Sequence, residues 1–155
     1  MKGNEKLIEA LNTAISDELS AISQYIVHAE MCENWGYGKL HSHFQKRAID
    51  EMKHVEKLVA RFLFLEGRPI ISKVNPITIG SDVHKMFQND HEHEKNTIAA
   101  YNEAIKLAGE VKDFATREIL EGILNDEDGH IDAIEENLDQ IGHMTLGLYL
   151  TTKVG

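Results

Sequence analysis

Proline is almost missing from this sequence: two in 155 residues, Pro69 and Pro76, both inside one short stretch. Glycine is sparse as well, at 11. With so few breakers the chain has room for long uninterrupted helices. The single cysteine, Cys32, excludes a disulfide framework and any Cys-x-x-Cys metal knuckle. No apolar run approaches the ~18 residues of a membrane helix. The opening Met1-Lys2-Gly3-Asn4-Glu5-Lys6 lacks the apolar segment of a signal peptide, so the expectation is a cytoplasmic protein with no membrane contact. Positive charge is in deficit, with 16 Lys and Arg against 26 Asp and Glu and a net charge of −10. A nucleic-acid binder would need a basic face, and that class is set aside. The negative excess fits attraction of cations and equally fits plain solubility. The length is that of one domain, expected to span residues 1–155, with a core of its own.

What the sequence does contain is one pattern written twice. Asp50-Glu51-Met52-Lys53-His54 returns 76 residues later as Asp126-Glu127-Asp128-Gly129-His130. The same offset relates Glu18 to Glu94 and Tyr25 to Tyr101. Each half therefore reads Glu, then Tyr seven residues on, then Glu-x-x-His beginning 33 residues after the first Glu. A lone Glu-x-x-His is commonplace. Two copies, each with a glutamate at a fixed distance upstream, have the pattern of helical bundles that hold a pair of metals between carboxylates.

Apolar residues recur every three or four positions through four segments, which predicts an all-α chain. Helix one is expected from about Asn4, a plausible N-cap, to Asn34, with Leu7, Leu11, Ala14, Glu18, Ala21/Ile22, Tyr25, His28/Ala29 and Cys32 on its core stripe. Helix two runs from about Lys39 to Leu65 with Leu40, Phe44, Ala48, Glu51, His54/Val55, Leu58 and Phe62, and Gly67 and Pro69 end it. Helix three starts near Ser81 and ends near Gly109, carrying Val83, Phe87, Glu94, Ile98, Tyr101, Ile105 and Ala108. Helix four spans about Asp113 to Ile141, with Leu120, Ile123/Leu124, Glu127, His130/Ile131, Ile134 and Leu138, and Gly142 is expected to stop it. A short fifth helix is expected within Met144–Thr152.

Between helices two and three lies the one long irregular stretch, Glu66 to Gly80. A helix of about 27 residues is about 40 Å long, and some 15 extended residues reach about 50 Å. The stretch can therefore cross the whole bundle and let helix three run parallel to helix two. The other connections are short, so two antiparallel hairpins joined by one crossover are predicted, the connectivity of ferritin-like four-helix bundles.

Each acidic member of the repeat sits on a core stripe, where an unpartnered carboxylate would be expensive. Brought together, Glu18, Glu51, His54, Glu94, Glu127 and His130 meet at mid-bundle. The symmetry gives Glu18 and His54 to one metal, Glu94 and His130 to the other, with Glu51 and Glu127 bridging. Four carboxylates against two divalent cations sum to zero charge. Oxygen-rich ligation with imidazole and no thiolate suits iron or manganese, with zinc able to compete. Such a pair of metals can give up two electrons together, which suits reduction of dioxygen to peroxide. Tyr25 and Tyr101, one heptad past Glu18 and Glu94, are placed for at least one hydrogen bond to a ligand carboxylate.

The chain resembles the bacterioferritin branch of the ferritin superfamily over nearly its whole length. The resemblance is carried by Met1-Lys2-Gly3, Glu18-Leu19, Gln24-Tyr25, Asn34-Trp35-Gly36, Ile49-Asp50-Glu51-Met52-Lys53-His54, Phe64-Leu65-Glu66-Gly67, Asp126-Glu127 and Gly129-His130-Ile131-Asp132. It implies a hollow cage of two dozen subunits. That cage would oxidise Fe(II) with dioxygen or hydrogen peroxide at an intrasubunit di-iron site formed by the six ligands, and store ferric mineral. It also implies a small ferredoxin as the partner for iron release. Read from periodicity alone, Met52 fills an apolar contact near Leu19, Ile22, Ile26 and Ile49. The resemblance makes it an axial ligand to haem b at a two-fold subunit interface. Lys46 stands where some members carry a histidine that forms an inner-surface iron site with Asp50, and a protonated lysine cannot ligate. Histidines 41, 43, 84, 91, 93 and 143 fall outside the repeat and read as surface residues, while His28 reads as a packed histidine. The competing classes are a di-metal oxidoreductase of the peroxidase or rubrerythrin-like kind, without mineral storage, and a non-catalytic or haem-carrying assembly.

Overall fold

Five helices carry the chain: α1 (Glu5–Asn34), α2 (Gly38–Phe64), α3 (Val83–Glu110), α4 (Phe114–Met144) and the short α5 (Leu146–Thr151), in a computed structural model that describes residues 1–155. There is no strand, and no helix is long and apolar enough to cross a membrane. Asn4 caps α1 as expected, its side chain accepting from the amides of Lys6 and Leu7. Asp113 does the same for α4 through Thr116.

Two helix ends differ from expectation. The cap of α3 is Asp82 rather than Ser81, accepting from the Lys85 amide at 2.8 Å; a carboxylate beside the positive helix terminus outbids a hydroxyl one residue earlier. Helix α4 runs through Gly142 to Met144 and breaks at Thr145, with φ 72° and ψ 155°. One glycine costs a helix only about 1 kcal/mol. The break falls instead where the chain must turn for α5 to dock, burying Tyr149 edge-on to Phe87.

Helices α1 and α2 form one antiparallel hairpin, α3 and α4 the other. Phe44 of α2 stacks against Phe87 of α3, ring centroids 5.2 Å apart, and both lie near the N-terminal end of their helices, so these two helices run parallel as the crossover length predicts. Tyr25 and Glu94 meet across α1 and α3, as do Tyr101 and Glu18, which makes that pair antiparallel.

The crossover is strapped to α1 by a row of side-chain acceptors. Asn12 accepts from the Ile70 amide, Ser20 from Asn75, Gln24 from Thr78 and the Nε2 of His28 from Gly80, at 2.8–3.0 Å. The acceptors recur at helical spacing, so an extended strap finds partners for its backbone without forming a sheet. Where it leaves α2, Gly67 lies so close to the Phe62 ring that a Cβ there would sit 2.3 Å from it.

Inside, two apolar clusters of 13 and 12 buried residues flank a polar layer at mid-bundle. On α3, Thr97 and Ala104 are buried where the expected stripe has Ile98 and Ile105, which are half-buried.

Candidate metal centre

The polar layer is made by the stripe positions that the repeat marked. Glu18, Glu51, His54, Glu94, Glu127 and His130 are all 5% exposed or less. They form two overlapping groups, Glu18–Glu51–His54–Glu127 and Glu51–Glu94–Glu127–His130, each with one atom per residue within 4.8 Å of the others. Glu51 and Glu127 belong to both, the arrangement read from the sequence symmetry. Glu51 and His54, three apart on α2, point to one side of the helix, as do Glu127 and His130 on α4.

Within the layer one hydrogen bond joins His54 Nδ1 and Glu18 Oε2 at 3.3 Å, and most of the other donor atoms converge without pairing. His130 Nδ1 lies 2.9 Å from Glu51 Oε1 and His54 Nδ1 lies 3.0 Å from Glu127 Oε1. Yet Glu51 Oε1, Glu94 Oε1, both oxygens of Glu127 and His130 Nδ1 make no hydrogen bond, because the angles fail although the distances are short. Buried polar atoms normally find partners, and a donor set of four oxygens and two imidazole nitrogens aimed at shared points fits a pair of divalent cations.

A second ring of residues orients the first. His54 Nε2 meets Asp126 Oδ2 at 2.9 Å and His130 Nε2 meets Asp50 Oδ2 at 3.1 Å. Each aspartate of one repeated motif thus clasps the histidine of the other, fixes the proton on Nε2 and leaves Nδ1 to face the layer. The tyrosines cross over in the same way: Tyr25 donates to Glu94 at 3.2 Å and Tyr101 to Glu18 at 2.7 Å. Burial first, then the nearby carboxylates, pushes both phenols well above their usual range, so both remain donors.

Crowding sets the protonation. Burial, reinforced by Glu18 and Glu127, raises the Glu51 carboxyl well above the usual carboxylate range. Burial works the same way on Glu127, but the close imidazoles of His130 and His54, at 3.5 and 3.0 Å, outweigh it and hold that group at about 2. Burial alone would lower His54, and contacts with Glu127 and Glu18 instead lift it to about 10.

The role of Asp126 is absent from the sequence reading, although the aspartate is part of the repeated motif and shares its 76-residue offset. Also missed is Asp90, 1% exposed, which receives Gln24 Nε2 at 2.8 Å and lies 3.1 Å from His28 Nδ1; it sits four residues before Glu94 on the same stripe. His28 is the packed histidine expected. The surface reading of the other six histidines holds fully for His143 alone. His41, His84, His91 and His93 are half-buried. His43 is tucked against Phe44 and Phe87, and burial pushes its imidazole down to about 4. Lys46 is exposed, and Asp50 is engaged by Arg47 at 3.3 Å. Met52 is 47% exposed among the apolar Ile22, Ile26 and Ile49, beside a groove of about 310 Å³.

The ferritin-like domain family matches residues 8–144. The bacterioferritin of Rhodobacter capsulatus is 39% identical over 145 residues, which is 92% of this chain and 90% of that protein. That of Brucella melitensis is 37% identical over 90% of this chain and 86% of the relative. That of Streptomyces coelicolor is 36% identical over 99% and 92%. The solved structure of the Rhodobacter capsulatus protein, with a metal-free dinuclear site and its haem iron in a crystallographic special position, matches with a TM-score of 0.98 at 35% identity over 100% of this chain and 97% of that one. The chain belongs to the ferritin family, in its bacterioferritin branch.

Proposed function

We propose that ferrous iron binds as a pair at the two overlapping ligand groups, is oxidised there, and passes on to be stored as ferric mineral. The chain is an iron-storage ferroxidase of the bacterioferritin kind, and iron is its substrate. The observation that carries the residue assignment is the symmetric pair of four-residue groups sharing Glu51 and Glu127. Glu18 with His54 holds one iron, Glu94 with His130 the other. Four carboxylates neutralise two divalent cations, so the loaded layer can stay buried. Two Fe(II) release two electrons, and one dioxygen takes up two electrons and two protons to leave as hydrogen peroxide. Around the pair, Tyr25 and Tyr101 keep the terminal carboxylates oriented, Asp50 and Asp126 keep each imidazole in the ligating tautomer, and the two apolar clusters exclude bulk water.

The same reading extends to the assembly. Members of this branch work as multi-subunit cages, and we assign this chain to a 24-subunit cytoplasmic cage that takes electrons from a small ferredoxin for iron release. The exposed thioether of Met52 on an apolar face would hold a haem b between two subunits, one Met52 coming from each chain. When bound, the haem supplies a one-electron redox group.

An aerobic Fe(II) titration of metal-free protein tests the site. A fast phase ending near two irons per chain, followed by slower uptake far beyond that, is expected. Saturation near two with nothing further moves the function to substrate oxidation, and no fast phase at all sinks the site. Glu94→Ala and His130→Ala should each lose the fast phase while the helical content and oligomer size stay unchanged. Met52→Leu should assemble and oxidise iron but take up no haem; haem bound at full stoichiometry in that variant rules out the axial role.

A further inference from the structure

The two halves of the candidate centre share their donor types but not what stands behind them. Asp126 backs His54 and Asp50 backs His130. Three residues before Asp50 lies Arg47, whereas the same position before Asp126 is Ile123. A spacing of three sets Arg47 and Asp50 side by side on α2. A terminal guanidinium nitrogen of Arg47 donates to Asp50 Oδ2 at 3.3 Å, and that same oxygen meets His130 Nε2 at 3.1 Å. Asp50 is the only carboxylate that Arg47 pairs with, and the Nε of Arg47 is buried without a partner. Asp126 Oδ2, by contrast, pairs with His54 alone, at 2.9 Å.

A carboxylate behind an imidazole raises its basicity toward a metal. A guanidinium on that carboxylate supplies an opposite charge and occupies one of its lone pairs, so His130 leans on an aspartate that is already neutralised in part. Exposure works the other way: Asp126 is 53% exposed and Asp50 27%, and water screens the former more. Screening dilutes a charge, however, while a contacting cation opposes it directly. The carboxylate ligands carry the same bias. Glu18 receives Tyr101 at 2.7 Å and shares a hydrogen bond with His54 Nδ1. Glu94 receives Tyr25 at 3.2 Å, and its Oε1 and His130 Nδ1 have no partner. One half is interlocked in advance and the other is loose.

We propose that Arg47 is a positioning residue that makes the centre fill in order. Glu18 and His54 take the first Fe(II), and Glu94 and His130 hold the second more weakly because Arg47 draws on Asp50. The proposal rests on the reading of the six residues as ligands of the iron pair. Arg47 acts through Asp50 and makes no hydrogen bond to a ligand. Complete loss of such a backing partner lowers metal affinity 10–100-fold. Arg47 weakens the backing without removing it, so the two halves should differ by about tenfold.

Zn(II), which has no redox chemistry of its own, reads the order directly. Titration calorimetry of the metal-free assembly should resolve two steps of about one Zn(II) per chain each, with affinities about tenfold apart. Crystals soaked at about one Zn(II) per chain should carry strong anomalous density at Glu18 and His54 and weak density at Glu94 and His130. Arg47→Gln leaves Asp50 to His130 alone, and it should merge the two steps and even out the two peaks. A merely structural arginine would not shift metal from one half to the other. Equal affinities and occupancies in the unmodified protein overturn the order of filling, and a gap that survives intact in Arg47→Gln overturns the part assigned to the arginine. Failure of the unmodified protein to bind two Zn(II) per chain is a different result: it removes the ligand reading on which the proposal stands.

Discussion

At the scale of single residues, the most telling feature is that each histidine proposed as a ligand is governed from the opposite hairpin. Asp126 on α4 holds His54 of α2, and Asp50 on α2 holds His130 of α4. A carboxylate behind an imidazole fixes its tautomer and raises its basicity toward a metal, and loss of such a partner typically costs 10–100-fold in metal affinity. Asp126 is 53% exposed, so removing it leaves little structural scar. Asp126→Ala should therefore bind Zn(II) about 10–100-fold more weakly with an unchanged circular dichroism spectrum, measured by competition against a chelating dye. Affinity equal to that of the unmodified protein would mean that the clasp does not act on the ligand.

At the scale of elements, the core stripes (apart from Ile98 and Ile105 of α3, which give way to Thr97 and Ala104), the Asn4 cap, the short turns and the parallel course of α2 and α3 were legible, because each follows from period, capping chemistry or reach. That the six residues of the repeat meet in one buried layer was legible for a different reason: a carboxylate on an apolar stripe stands out, and a fixed offset marks it twice. What periodicity could not deliver was how the crossover is held. Asn12, Ser20, Gln24 and His28 look like ordinary polar residues of α1, and their function as backbone acceptors depends on a strap that is distant in sequence. Asp90 stayed hidden for the same reason, its partners Gln24 and His28 lying more than 60 residues away. Gln24 is the joint of this network, donating to Asp90 and accepting from the Thr78 amide. Gln24→Leu would take a donor from the buried Asp90 and release the exposed Thr78 amide, at a cost of about 2 kcal/mol. Amide hydrogen exchange should accelerate at Thr78 and Gly80 while the middles of α2 and α4 remain protected; unchanged exchange along the strap would show that the row of acceptors does not hold it.

At the scale of the whole molecule, the proposed metal centre draws one or two side chains from each of four helices, so a bound metal would tie the two hairpins together at mid-height. An unfolded chain cannot gather that set, so a divalent cation held there would bind the folded state selectively. Selective binding stabilises by about 2.7 kcal/mol when free ligand stands at 100 times its dissociation constant. For a chain of this size that corresponds to a rise in melting temperature of roughly 5–10 °C. The pH dependence has a definite sign. Glu51, raised by burial, and His54, raised to about 10 by its carboxylate neighbours, hold protons that a cation must displace. Loading should therefore release protons, and the stabilisation should shrink as pH falls and grow as it rises. Calorimetry of metal-free and Zn(II)-loaded protein at a series of pH values, at constant oligomer size, measures both effects. A melting temperature indifferent to Zn(II), or a rise that grows on acidification, would contradict a centre built from these six side chains.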